Sequence, residues 1–155
     1  MSFASQVKGF VEKADTLTTK AFQGSCYQVS YDIAEESPVS TGQLLGSWAP
    51  ALNEMGAYHF EPRESAWIDT PGGDVIKVTE IEIANRAAAM QNMTSRLGAV
   101  TLALSKKDRF YLTNNTPYIM QAEHAGWEEV DAYHMREKAL INWQQIVNSV
   151  VSRLR

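Results

Sequence analysis

The residues that could do chemistry in this chain are few and scattered. His59, His124 and His134 lack a His-x-x-x-His spacing and a nearby cysteine pair, whereas zinc sites draw their ligands from tighter runs. A set of Glu123, His124 and His134 is the one metal constellation worth naming, and solvated or capping histidines account for these residues better. Cys26 falls on a predicted helix with no histidine close in sequence, and no Gly-x-Ser-x-Gly elbow is present. A buried packing or interface role is therefore expected for the thiol. Thr41-Gly42-Gln43-Leu44-Leu45-Gly46 has glycines but not the lysine and hydroxyl of a phosphate loop.

Carboxylates are plentiful at Glu35-Glu36, Glu123 and Glu128-Glu129. Acids in such positions normally face solvent, and that is the reading for each. Lys106, Lys107 and Arg109 form the one compact basic cluster, too thin to neutralise several phosphates together. A solvated hairpin turn is the expectation there. These residues propose no catalytic mechanism, metal or cofactor.

Bulk properties agree with an ordinary globular domain. The chain has 155 residues, 45% hydrophobic and 21% charged, enough for one domain with its own core. Its net charge of −4, from 14 Lys+Arg against 18 Asp+Glu, disfavours a dedicated nucleic-acid binder. One cysteine excludes an internal disulfide framework and fits a reducing cytoplasm. Met1-Ser2-Phe3-Ala4-Ser5 does not open like a signal peptide, and no apolar run approaches the roughly 20 residues that cross a bilayer. The sequons at Asn92 and Asn114 then carry no glycosylation meaning, and a soluble chain without membrane contact is expected.

The elements that must position these side chains follow from periodicity. Residues 3–36 read as helix: Phe3, Val7, Phe10, Ala14, Leu17 and Ala21 step by four and three. Phe22, Cys26, Val29 and Ile33 continue the steps one position over, so a bend or a new packing partner is expected near Gly24. Such a helix normally packs on a sheet or on another subunit. Pro38 ends it, because the residue before proline avoids helical geometry. Thr41 is placed to cap a short helix with Leu44 and Leu45, and Trp48 opens an extended stretch. Residues 53–73 read as one loop of about 20 residues, a length usually functional or ordered by a partner. Its Tyr58, Phe60 and Trp67 are candidate interface anchors.

Helix returns over 79–94, where Ala84, Ala87, Ala88 and Ala89 favour it, although Ile81 and Ile83 alternate with Glu80 and Glu82 as a strand would. Val100, Leu102 and Leu104 predict one strand and Phe110-Tyr111-Leu112-Thr113 a second, joined by an exposed turn at 105–108. Asn114-Asn115-Thr116-Pro117 is turn chemistry, its asparagines suited to left-handed backbone. Residues 118–123 restart an ordered element. The last helix is predicted over 131–154, with Leu140, Trp143, Val147, Val150 and Leu154 as its stripe. The whole chain, 1–155, reads as a single α+β domain without internal repeat or linker.

Three segments in order carry a resemblance. Ser37-Pro38-Val39-Ser40-Thr41-Gly42-Gln43-Leu44-Leu45-Gly46-Ser47-Trp48 is the first. Phe110-Tyr111-Leu112-Thr113-Asn114-Asn115-Thr116-Pro117-Tyr118-Ile119 is the second. The third is Glu123-His124-Ala125-Gly126-Trp127, followed by Met135-Arg136-Glu137-Lys138-Ala139. Together they resemble the tail-completion proteins of long-tailed phages, the lambda minor tail protein Z-like family. Ser40 and Gln43 depart from the aspartate and arginine common in that family.

The resemblance implies long N- and C-terminal helices packed on a small antiparallel sheet, with a middle helix and a long loop. It also implies a structural virion protein of the phage neck: a ring, in the family a hexamer, that completes the tail and joins tail tube to head connector. Partners would be other copies, head connector or stopper proteins, and a tail terminator or tail tube protein, with DNA crossing the lumen without sequence-specific contact. An acidic balance suits a non-sticky lumen. Pro38, Thr41, Gly42, Leu44, Trp48, Asn114, Asn115, Pro117, Tyr118, Glu123, Gly126, Trp127 and Arg136 are then the structural or interface positions. A tail terminator ring is the neighbouring alternative, separated by position in the virion. A small prophage-encoded enzyme is the alternative of another class, separated by a screen for bound metal or nucleotide.

Overall fold

A computed structural model describes residues 2–65, 75–126 and 131–154, without the side chains of 75–79. The elements run α1 (Phe3–Glu35), α2 (Gln43–Gly46), β1 (Ala49–Leu52), α3 (Val75–Ala103), β2 (Phe110–Thr113), a π-helical turn (Gln121–Ala125) and α4 (Met135–Arg153). The fold is α+β: long terminal helices and a middle helix around a small antiparallel sheet.

Ser2 caps α1 in extended geometry, its hydroxyl accepting the Ser5 N–H at 3.3 Å. Beyond the expected offset at Gly24, α1 gains a partner. A Cβ on Gly24 would lie 2.8 Å from Val150 Cγ1 of α4, so the missing side chain is what lets the two helices close up. Near the other end of the pair Lys138 Nζ meets Glu36 Oε2 at 2.6 Å. Residue 24 facing 150 and residue 36 facing 138 make α1 and α4 antiparallel. The stripe ahead of Gly24 is not buried: every residue from 2 to 18 is exposed, Phe3 at 82% and Phe10 at 74%.

Several expectations give way here. The helix predicted over 79–94 is α3, Val75–Ala103, and it absorbs the strand predicted at Val100 and Leu102, with Leu104 just past its end. Leu97, Thr101 and Leu104, spaced by four and three, are all buried while Leu102 is 81% exposed, so helical period governs. Thr101 satisfies its hydroxyl within the helix, donating to Leu97 O at 2.8 Å. The turn at 105–108 is consequently a helix-to-strand connection, not a hairpin. Asp108 Oδ2 gathers it by accepting from Ser105 N at 2.8 Å and Ser105 Oγ at 2.6 Å. α4 starts at Met135, not 131, and its buried face is Met135, Ala139, Ile146 and Val150. Leu140 and Trp143, expected on the inner stripe, are 67% and 39% exposed.

Among the described residues the sheet has two strands, β1 and β2, antiparallel with Ala49 opposite Thr113 and Leu52 opposite Phe110. A two-stranded sheet is marginal alone. It rests on the main core of Ala34, Leu44, Trp48, Met93, Leu97, Ala122 and Met135, to which Phe110 and Leu112 add their half-buried faces. A smaller cluster, Val39, Leu45 and Ala89, lies with Phe60 and Met90.

Candidate functional site

The first two segments of the resemblance meet around α2. Ser37 starts the assembly: its hydroxyl accepts the Trp48 indole N–H at 2.8 Å, joining the end of α1 to the start of β1 inside the core. Gly42, not Thr41, stands at the N-cap of α2, with φ 78°. Only glycine suits it, because the backbone is left-handed and a Cβ would sit 3.1 Å from Asn85 O and 3.3 Å from Ala89 Cβ. Thr41 still contributes, its Oγ1 accepting the Gln43 N–H at 3.3 Å. Leu44, buried, fills the main core.

The second segment reaches back across the sheet. Asn114 Nδ2 donates to Leu44 O at 2.8 Å while its Oδ1 accepts from Thr116 N and Oγ1 at 3.1 and 2.9 Å. The turn is thus closed by the Asn114 side chain. Asn114 and Asn115 do not take the left-handed backbone expected of them; Asn53 and His134 are the described non-glycine residues with positive φ. Tyr118 Oη donates to Gln43 Oε1 at 3.0 Å, and burial raises its hydroxyl's pKa. Asn115 and Pro117 are exposed. Pro38, Thr41, Gly42, Leu44 and Tyr118 line a cleft of about 400 Å³.

Two residues not singled out from sequence hold the other side. The Arg96 guanidinium donates to Trp48 O at 2.8 Å, to Gly46 O, and from Nε to Asn92 Oδ1 at 3.0 Å. It also lies 3.6 Å from the Tyr58 ring centroid. Burial pulls its pKa down and Tyr58 pushes it up, the first being larger. Asn85, buried, donates to Ser40 O at 2.6 Å and Glu64 O at 2.8 Å. One arginine and one asparagine in an alanine-rich helix gave no periodic signal. Only their polarity on a face otherwise shared with Ala89 and Met93 marks them.

The candidate loop anchors are engaged by the chain itself as far as residue 65. Phe60 lies against Gly46, its own N–H donating to Ser47 Oγ at 3.0 Å, and Tyr58 carries Arg96. Trp67 lies outside the described residues, as does the remainder of the predicted loop.

The third segment builds a separate joint. Glu123, read from sequence as a solvated acid, is buried at 6% exposure. Its two carboxylate oxygens accept the Arg136 N–H at 3.0 and 3.2 Å. The reason is geometric: His134 at the N-cap of α4 has φ 50° and makes no side-chain cap bond, so the helix takes its acceptor from the π-helical turn. An anion there also suits the positive end of the helix dipole. Gly126 turns the chain with φ 68°. Trp127 and Glu128-Glu129 lie outside the described residues.

Cys26 is buried and its thiol is pushed up to about 11 by burial, which keeps it protonated. His59 stands 3.9 Å from Glu61, His134 Nδ1 stands 3.1 Å from Glu137 Oε2, and His124 is exposed. Among the described residues no three of His, Cys, Asp or Glu are grouped to hold a metal ion. Within the basic cluster Lys106 is tied to Asp15 at 2.7 Å. No described helix is long and apolar enough to cross a membrane. No family model matches the chain, and neither a curated protein nor a solved structure gives a match.

Proposed function

We propose that this chain is a structural subunit of the phage neck, assembling as a ring, with a hexamer expected, that completes the tail and joins its tube to the head connector. The observation that carries an assembly role is the outer face of α4. Leu140 and Ile141 are 67% and 80% exposed on that face, and Trp143, 39% exposed, lies beside Leu140 toward its edge, on a helix whose inner face is already filled. Apolar surface of this kind, flanked by Arg136, Glu137 and Gln144, suits a subunit joint better than open water. The choice of a neck ring among assemblies rests on the resemblance over Ser37–Trp48, Phe110–Ile119, and Glu123–Trp127 followed by Met135–Ala139.

In this reading the polar residues of the resemblance hold the domain's own backbone, and the exposed helix faces meet neighbouring copies, head connector or stopper proteins, and tail terminator or tube. DNA would cross the lumen without sequence-specific contact. The test is a phage in which the gene is interrupted and supplied in trans. Filled heads and separate tails that fail to join, together with this chain traced in a cryo-EM map of the complemented neck, are expected. Normally joined virions from the interrupted phage would overturn the reading. A map placing the chain at the tip of the tail tube as its cap would favour the terminator.

A further inference from the structure

The first turns of α1 have no place in the domain. Every residue from 2 to 18 is exposed, and the first tie from the described body reaches the helix at Asp15, through Lys106. Twelve residues, 3–14, therefore project as a helical arm roughly 18 Å long at 1.5 Å per residue. The arm carries a heptad seam. Phe3, Val7, Phe10 and Ala14 step by four, three and four, the spacing of alternating d and a positions in a coiled coil. Such a seam asks for another helix, and Ser2 caps the arm to begin it cleanly.

We propose that the helix occupying this seam is the same arm of a second copy, lying antiparallel about a two-fold axis between Lys8 and Gly9. Three observations select it. The first is side-chain size. In that register Phe3 meets the partner's Ala14 and Val7 meets the partner's Phe10, so each layer sets a large residue against a smaller one. A parallel, in-register pair would instead set Phe3 on Phe3 and Phe10 on Phe10, with Ala14 facing Ala14 across a gap. Close packing favours the first arrangement.

The second is charge. Flanking positions pair Gln6 with the partner's Lys13 and Ala4 with the partner's Val11, so no like charges meet. The arm's own ion pair, Lys8 with Glu12 at 3.9 Å, stays on the solvent side. Val11, 52% exposed and off the seam, gains a cover. The third is area. Two phenylalanines at roughly 150–250 Å² each, with the valines, bring about 1,000 Å² in total from both copies. That stands at the low end of specific interfaces and points to a dimer that comes apart on dilution. A two-fold contact closes on itself and cannot make a ring, so this pairing stands independently of the neck reading.

The experiment uses the full purified chain. Sedimentation velocity across a hundredfold range of concentration should show a monomer–dimer equilibrium. Phe10→Asp should abolish the dimer while leaving the melting transition in place, because Phe10 is 74% exposed and belongs to neither core cluster. Register is read with two single-cysteine additions, Phe3→Cys and Ala14→Cys, under mild oxidation. Each alone should stay uncrosslinked, and a 1:1 mixture should give a covalent dimer. A monomer at every concentration, a Phe10→Asp variant that still dimerises, or cross-linking of either variant with itself would overturn the proposal.

Discussion

Glu123 and Arg136 are joined not through their charges but through a carboxylate and a backbone N–H, at 3.0 and 3.2 Å. The acid of the π-helical turn thereby caps a helix that its own N-cap residue does not. Truncating it with Glu123→Ala should cost about 1–2 kcal/mol, the usual value of a lost cap. For a chain of this size that lowers the melting temperature by about 2–4 °C per kcal/mol. Glu123→Gln keeps an acceptor and should cost less. Equal loss from both would assign the effect to charge alone, and no loss from either would remove the cap from the account.

Ser37→Ala should be more harmful than its size suggests. It strands the Trp48 indole N–H in a core where both residues are buried, and an unsatisfied buried donor costs about 1–3 kcal/mol. A double-mutant cycle with Trp48→Phe isolates the pair. If the two losses simply add, the hydrogen bond carries none of the stability.

Gly46 and Phe60 make a steric prediction. A Cβ on Gly46 would fall within contact of the Phe60 ring, so Gly46→Ala should destabilise by about 1–3 kcal/mol through overpacking. Phe60→Leu in the same chain should recover part of that loss. Chemical denaturation of the three variants measures it, and a neutral Gly46→Ala would mean that the 53–65 segment shifts freely.

Cys26 supplies the alkaline prediction. Burial raises the folded thiol from its ordinary value near 9.0 to about 11. A raised folded pKa gives stability that is whole below the unfolded value and is lost as pH climbs through the folded one. Stability should therefore fall between pH 9 and pH 11, and Cys26→Ala should lose less across that window. Iodoacetamide at pH 8 should label the unfolded chain far faster than the folded one.

Much of this architecture is legible in the sequence because helix period and turn chemistry are local. Phe3–Glu35, the short helix at Leu44 and Leu45, and the strand Phe110–Thr113 follow from spacing and composition. What local pattern cannot report is which apolar residue lacks a cover. Leu102 read as a strand residue because alternation assumes that apolar means buried, and it is 81% exposed. Leu140 and Trp143 misplaced the α4 stripe for the same reason. The polar ties Arg96 to Trp48 and Glu123 to Arg136 span 48 and 13 residues, and only the folded chain brings such groups together. The resemblance pointed to Glu123, Asn114 and Tyr118 as positions, and their hydrogen bonds give each a physical task.

The way Arg96 is held has a consequence for ionic conditions. Its described contacts are two carbonyls, an amide and an aromatic ring, with no carboxylate among them. Dissolved salt screens attraction between full charges and does little to a hydrogen bond on a sheltered carbonyl. The surface pairs Lys106–Asp15 and Lys138–Glu36 should fade as ionic strength rises, loosening α1 at Asp15 and at its C-terminal cap. The junction of α3 with α2 and β1 should keep its strength in brine.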